Sequence, residues 1–186
     1  MKRLAASLAI LAILALSARA QPAPGSFLAD MELSGPLTPE QAASLGISKD
    51  ARTFRLSQVK AEFLLLEIFS MYCPHCQREA SRVNELDAAL RSSPWAGRIL
   101  LLGLGAGNSS FEVDVFREQY KIPFPLFADP DFTMHKALGQ VGTPCFILVG
   151  LPGDERGLPV LDSLTGGFGD TKAFLDRLAT AAGLKK

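Results

Sequence analysis

The chain has 186 residues, 48% apolar and 20% charged, the balance of one ordinary globular domain. Nineteen basic residues offset nineteen acidic ones, so nothing indicates a basic surface for nucleic acid. Neither a Rossmann nor a Walker glycine loop is present, and there is no internal repeat or low-complexity segment.

Lys2 and Arg3 precede an apolar run, Leu4 to Leu16, and Ser17-Ala18-Arg19-Ala20 ends in small residues at the positions a signal peptidase reads. Residues 1–20 therefore read as a secretory signal peptide cut after Ala20. The apolar run is shorter than the roughly 20 residues that span a bilayer, which argues against a membrane anchor. No cysteine stands near the cleavage site, which argues against a lipoprotein. Cleavage removes Lys2, Arg3 and Arg19 and no acid, leaving 16 basic against 19 acidic residues and a net charge of −3. The expected product is a protein of the periplasm with no stable membrane insertion. Disulfides form and persist in that compartment.

Residues 21–52, rich in Pro, Gly, Ser and Ala, read as an extended lead-in with a short helix near Pro39–Leu45 after the capping Thr38. The domain proper is expected from residue 53 to 186. Phe54–Leu56 reads as a short strand and Glu62–Phe69 as a buried one. From Pro74 to Leu90 the spacing of Ala80, Val83, Leu86 and Leu90 is helical. Ile99–Leu104 is a second buried strand. Ser109 or Ser110 caps a helix reaching Tyr120. Phe124–Phe127 reads as a short strand and Asp131–Leu138 as a short helix stopped by Gly139. Cys145–Val149 is a third buried run, Pro159–Leu164 its returning partner, and a last helix runs from about Asp170 to Ala182. Strands alternating with helices predict an α/β fold with a mostly parallel sheet covered on both faces, closed by an antiparallel hairpin.

The chemistry concentrates in "LEIFSMYCPHCQREA", residues 66–80. A C-x-x-C at a strand-to-helix junction is a redox signature, because cysteines three apart at a helix start can bond with little strain. Cys73 stands at the helix mouth, where unpaired N–H groups and the helix dipole stabilise a thiolate. It is the expected nucleophile. Cys76, one turn deeper, is the expected resolving thiol. Pro74 fits the first turn, where its missing N–H leaves no gap. His75 can place a positive charge or an N–H donor beside the Cys73 sulfur.

Glu67 interrupts the apolar strand, sharing a face with Phe69 and Met71. A buried carboxyl there has a raised pKa and can shuttle the proton that Cys76 must lose. The alternative is an edge residue reaching solvent. Thr143-Pro144 opens a buried strand, where proline is normally excluded. A cis bond would bend the chain and leave the Thr143 backbone free to pair with an extended substrate; a trans proline at a strand start is the alternative. Zinc is disfavoured: beyond the one C-x-x-C, only His75 and His135 remain as candidates. No cofactor is expected other than the Cys73–Cys76 dithiol itself. His135 and Trp95 read as surface and loop-packing residues.

Glu67, Cys73-Pro74-His75-Cys76 and Thr143-Pro144 together resemble the thioredoxin superfamily, in the family's order, over about residues 53–183. The resemblance implies a thioredoxin-like fold, a central mixed sheet flanked by helices, with a cis proline at Pro144 facing the cysteines. "LEIFSMYCPHC" is similar to the DsbA family of periplasmic dithiol oxidases. Thr143 follows Cys76 by only 67 positions, too few for the DsbA helical insertion. A short βα insertion before the cis-proline strand resembles the TlpA/ResA-like oxidoreductases and the peroxiredoxins, and "YKIPFPLFADPDFTMHKALGQVGTPCFIL" is typical of that branch. TlpA/ResA-like proteins are often reductants, whereas the Pro-His dipeptide points to oxidation.

The expected function is disulfide exchange with protein thiols and disulfides, coupled to a membrane or periplasmic redox partner, by a monomer that binds no nucleic acid. Thr143, Pro144 and Pro74 are the expected substrate-contact residues. Cys145 reads as a buried apolar side chain or as a third thiol able to trap Cys76. Alternative functions are a peroxiredoxin-like peroxidase, although position 66 is Leu where that family has proline, and a thiol chaperone holding copper or haem apoprotein.

Overall fold

The structure, a computed structural model, describes residues 21–35 and 37–184. The expected signal peptide lies outside the described residues. The main sheet has six strands in the order β1-β8-β7-β4-β5-β6. They are β1 (Phe27–Leu28), β4 (Phe63–Phe69), β5 (Ile99–Ala106), β6 (Leu126–Asp129), β7 (Cys145–Gly150) and β8 (Leu158–Thr165). β4, β5 and β6 run parallel, and β7 pairs antiparallel with both β4 and β8. A separate hairpin joins β2 (Glu32–Ser34) to β3 (Thr53–Arg55). The helices are α1 (Pro39–Leu45), α2 (Pro74–Ser92), α3 (Ser110–Tyr120), α4 (Thr133–Ala137) and α5 (Thr171–Ala181). This is the thioredoxin-like α/β architecture that the resemblance implied, a mixed sheet with β6 and its neighbouring helices as the short insertion before the cis-proline strand. The sheet is not mostly parallel, however, as the strand–helix alternation predicted: three of its five strand pairs are antiparallel, because β1 joins β8 at the edge and β7 returns beside β4.

Helix starts follow the caps legible in the sequence. Thr38 and Gln41 form a reciprocal capping box with Pro39 at the first position, and α1 ends at a left-handed Gly46. Ser109 and Glu112 form the box for α3, and Asp170 caps α5 by accepting the Ala173 N–H at 2.7 Å.

β4 is the central strand. Leu64, Leu66 and Ile68 face one core; Leu65 and Phe69 face the other. All five are fully buried, which contributes roughly 8–15 kcal/mol at 1.5–3 kcal/mol each. A neutral carboxyl in the same strand costs roughly 1–3 kcal/mol, so the strand tolerates Glu67 provided that it keeps its proton.

Residues 21–52 are more than the extended lead-in expected. β1 forms an edge of the main sheet, Phe27 opposite Pro159, and Leu28, Met31, Leu33, Leu37, Ala42 and Leu45 enter the core. The packed unit therefore begins well before residue 53. These residues enter the core singly, within Pro- and Gly-rich surroundings, so no periodicity announced them. The strand expected at Phe124–Phe127 is displaced to Leu126–Asp129, because Pro123 and Pro125 cannot donate to a ladder. Pro125 contributes only its carbonyl, to the Gly103 N–H at 2.9 Å.

Two glycines of β5 make room for Phe69. A Cβ at Gly105 would stand 2.9 Å from Val113 Cγ2 and 3.2 Å from both Asn108 Cβ and Phe69 Cζ. Gly105→Ala is therefore expected to destabilise the fold by about 1–3 kcal/mol through overpacking, read as a lowered urea midpoint with an unchanged slope.

Candidate active site

At the C-terminal end of β4 the chain turns through Ser70–Tyr72 into α2, and Cys73 occupies the N-cap of that helix. Its sulfur sits where a Ser or Asp oxygen usually sits and accepts the Cys76 N–H at 3.4 Å. Pro74 holds the first helical position, as expected. Cys73 is half-buried, while Cys76 is fully buried in the core between the sheet and α2. Thr143–Pro144 is cis, and the Cys73 thiol donates to the Thr143 carbonyl at 3.2 Å. The structure thus brings Cys73, Cys76, Thr143 and Pro144 together.

The two thiols are pushed apart chemically. Burial opposes a Cys73 anion, but hydrogen bonding from the Thr143 side chain, from Cys76 and from the His75 backbone outweighs it, and its pKa falls below the ordinary thiol value. Burial drives the Cys76 pKa far up, reinforced by the nearby Cys73 and Glu67. The exposed thiol is therefore the one that ionises, and the hidden one keeps its proton until something removes it.

Glu67 is buried, 2% exposed, between Gly103 of β5 and Phe146 of β7. It alternates with Leu65 and Phe69 and so faces the core that holds Cys76. Burial, with a smaller repulsion from Glu79, raises its pKa to about 8. It is a buried acid beneath the cysteines and not an edge residue.

His75 departs from expectation. Its ring is exposed and its Nδ1 accepts from Arg78 Nη2 at 2.9 Å. The side chain is engaged with the next turn of α2, and the contribution of position 75 to the sulfur comes from its backbone.

Cys145 and Cys76 lie on opposite faces of the sheet. Cys145 packs with Ile147 and Val149 against the N-terminal elements, and Cys76 packs with Phe146 against α2 and α5. Its sulfur accepts the Thr165 hydroxyl at 3.6 Å, and burial raises its pKa. The structure does not bring Cys145 to the active pair. His135 is structural: Nε2 meets the Val141 carbonyl at 2.8 Å. Trp95 is buried in the core. Among the described residues no group of three or more His, Cys, Asp or Glu could hold a metal ion.

Glu79 was missed. It is buried on α2, three residues past Cys76, and its Oε1 accepts the Phe168 N–H at 3.1 Å. Its Oε2 accepts from Arg82 at 3.2 Å. A Cβ at Gly167 would stand 2.8 Å from that same oxygen, which explains glycine there. The adjacent Gly166 N–H donates to the Pro144 carbonyl at 2.8 Å. Glu79 thereby ties the helix of the cysteines to the loop behind the cis proline. The signal was present: position 79 falls within the apolar stripe of Cys76, Ala80 and Val83.

The AhpC/TSA family model matches residues 29–162. The chain belongs to the AhpC/TSA family of thiol–disulfide oxidoreductases. No curated protein sequence matches it. Among solved structures it is similar to the peroxidoxin BcpB of Mycobacterium tuberculosis, with TM-score 0.60, 19% identity, and coverage of 89% of this chain and 99% of that one. It is also similar to a thioredoxin-family thiol:disulfide interchange protein of Chlorobium tepidum, with TM-score 0.56, 16% identity, and coverage of 88% and 97%. A third is a secreted Mycobacterium tuberculosis disulfide oxidoreductase homologous to E. coli DsbE, with TM-score 0.54, 16% identity, and coverage of 70% and 90%. At these identities the likeness establishes the shared fold of this AhpC/TSA member.

Proposed function

We propose that this AhpC/TSA protein is exported to the periplasm, loses residues 1–20, and exchanges disulfides with other proteins through Cys73 and Cys76. One observation carries the reading: a half-exposed thiol of lowered pKa at a helix cap, beside a cis proline, with a second thiol buried behind it. The Cys73 thiolate attacks one sulfur of a substrate disulfide, forming a mixed disulfide and releasing the other sulfur as a thiolate. Glu67, once it has released its own proton to water, takes the proton of Cys76 as a carboxylate, and the Cys76 thiolate attacks the Cys73 sulfur. The Cys73–Cys76 disulfide forms and the second substrate thiolate leaves, so the substrate is reduced by two electrons and the protein oxidised. The reverse sequence oxidises a substrate dithiol. The Thr143 backbone, whose carbonyl lies 3.2 Å from the attacked sulfur, and the flanking Pro144 and Pro74 contact the substrate chain. A redox partner in the membrane or periplasm restores the starting state, and the chain acts as a monomer without a cofactor.

Equilibration with glutathione buffers fixes the direction. A potential near about −120 mV makes the protein an oxidant, and one near about −270 mV a reductant. Exchange with insulin disulfides or with reduced, unfolded protein is the expected activity, measured by thiol release or consumption. The peroxidoxin likeness favours one competing reading, reduction of peroxide at Cys73. Rapid hydrogen peroxide turnover with sulfenic acid at Cys73, and no exchange with protein substrates, would overturn the present reading in its favour.

A further inference from the structure

The turn that delivers Cys73 lies beyond the last β4–β5 pair, Phe69 opposite Gly105. Its backbone needs other partners there. Cys73 N–H donates to the Ser70 carbonyl at 3.0 Å. The Met71 N–H donates to Asn108 Oδ1 at 2.9 Å, and the Met71 carbonyl accepts from Gln77 Nε2 at 2.7 Å. Side-chain amides therefore grip both faces of this one residue. Asn108 lies on the loop between β5 and α3 and is fully buried, where an amide is costly unless it is bonded. Its Nδ2 points at Ser70 Oγ, 3.5 Å away, and its own N–H donates to the Gly105 carbonyl at 3.1 Å, which anchors the loop to the sheet. On the outer side the Tyr72 hydroxyl donates to Glu112, whose carboxylate also accepts from Ser109.

We propose that Asn108 is a positioning residue for the Cys73 nucleophile, acting through the Met71 backbone with Gln77 as the opposing clamp. Two contacts place the sulfur: the Cys76 N–H donates to it at 3.4 Å, which favours the thiolate, and as a thiol it donates to the Thr143 carbonyl at 3.2 Å. The first is already long, so a small shift of the turn removes it. Leucine at position 108 has similar volume and no acceptor. It leaves the Met71 N–H unpaired, and the turn moves to find another partner. The inference rests on Cys73 being the attacking thiol.

The test compares alkylation of Cys73 by iodoacetamide against pH in the full chain, in a Cys76→Ser background, where buried Cys145 does not compete. In Asn108→Leu the midpoint of the profile is expected to rise by about one unit and the rate at low pH to fall roughly tenfold, with an intact cooperative unfolding transition. Gln77→Ala is expected to shift the profile in the same direction by less. A folded Asn108→Leu with an unchanged profile overturns the proposal. Should that variant fail to fold, Gln77→Ala on the exposed face of α2 decides: a raised midpoint supports the clamp, and an unchanged one overturns it. A parent profile already at the ordinary thiol value overturns the nucleophile assignment itself and the clamp with it, an outcome visible before any comparison of variants.

Discussion

Cys73→Ser is expected to remove disulfide exchange altogether, a fall on the order of 10⁴-fold or more, the scale on which loss of an enzyme nucleophile shows. A serine hydroxyl at the α2 cap accepts the same N–H, so the fold and its stability change little. Cys76→Ser is expected to behave differently. The first attack proceeds, because the Cys73 thiolate depends on the cap and on Thr143 more than on the Cys76 side chain. Resolution fails, because no sulfur remains behind the mixed disulfide. The measurement is intact mass under non-reducing conditions after mixing with a protein disulfide. Cys76→Ser gains the mass of the bound substrate chain and Cys73→Ser gains nothing. An adduct on Cys73→Ser, or equal trapping by both variants, would sink the assignment of attacking and resolving roles. The asymmetry rests on burial, since only Cys73 is open to a partner.

Much of this site was legible in the sequence because its chemistry is local. A C-x-x-C with proline second requires a helix start, and the helix start determines which thiol ionises. Glu67 was legible because one acid in a seven-residue apolar strand has few places to go. What was not legible depends on chain segments distant in sequence. Asn108 reads as an ordinary loop residue until the β4–β5 register places Gly105 beside Phe69. The contribution of residues 27–45 to the core was hidden because each buried side chain stands alone in a polar stretch. His75 shows the converse limit. Its spacing permits contact with the sulfur, but Arg78 one turn on is an equally near partner, and the side chain takes it. Cys145 shows how pleating decides function: one residue past the cis proline, alternation sends its sulfur through to the other face of the sheet.

The buried acids indicate why the site is built at some cost in stability. Glu67→Gln is expected to yield a protein that is more stable and less active. The carboxyl has a folded pKa of about 8 against 4.5 for the ordinary group. The native state therefore holds the proton more tightly than the unfolded chain. The stability contribution is fully present below about pH 4.5 and is lost as pH rises through about 8, with a slope of about 1.4 kcal/mol per pH unit in between. Glutamine does not titrate. The two proteins should run together at acid pH and diverge by a few kcal/mol towards pH 8, the variant being the more stable. Urea midpoints of both reduced proteins between pH 4.5 and 8.5 measure this directly. Near pH 8, where the Glu67 carboxyl is partly ionised, the variant has no group to take the Cys76 proton. Decay of the mixed disulfide is expected to slow by about 10²–10⁴-fold, the usual worth of a positioned acid–base group, while the initial attack by Cys73 is little changed. Parallel stability curves would show that Glu67 is not held protonated in the fold. Unaltered decay of the adduct would show that the Cys76 proton leaves by another route. If both effects appear, the acid that weakens the central strand above neutral pH is the same group that lets the buried thiol react.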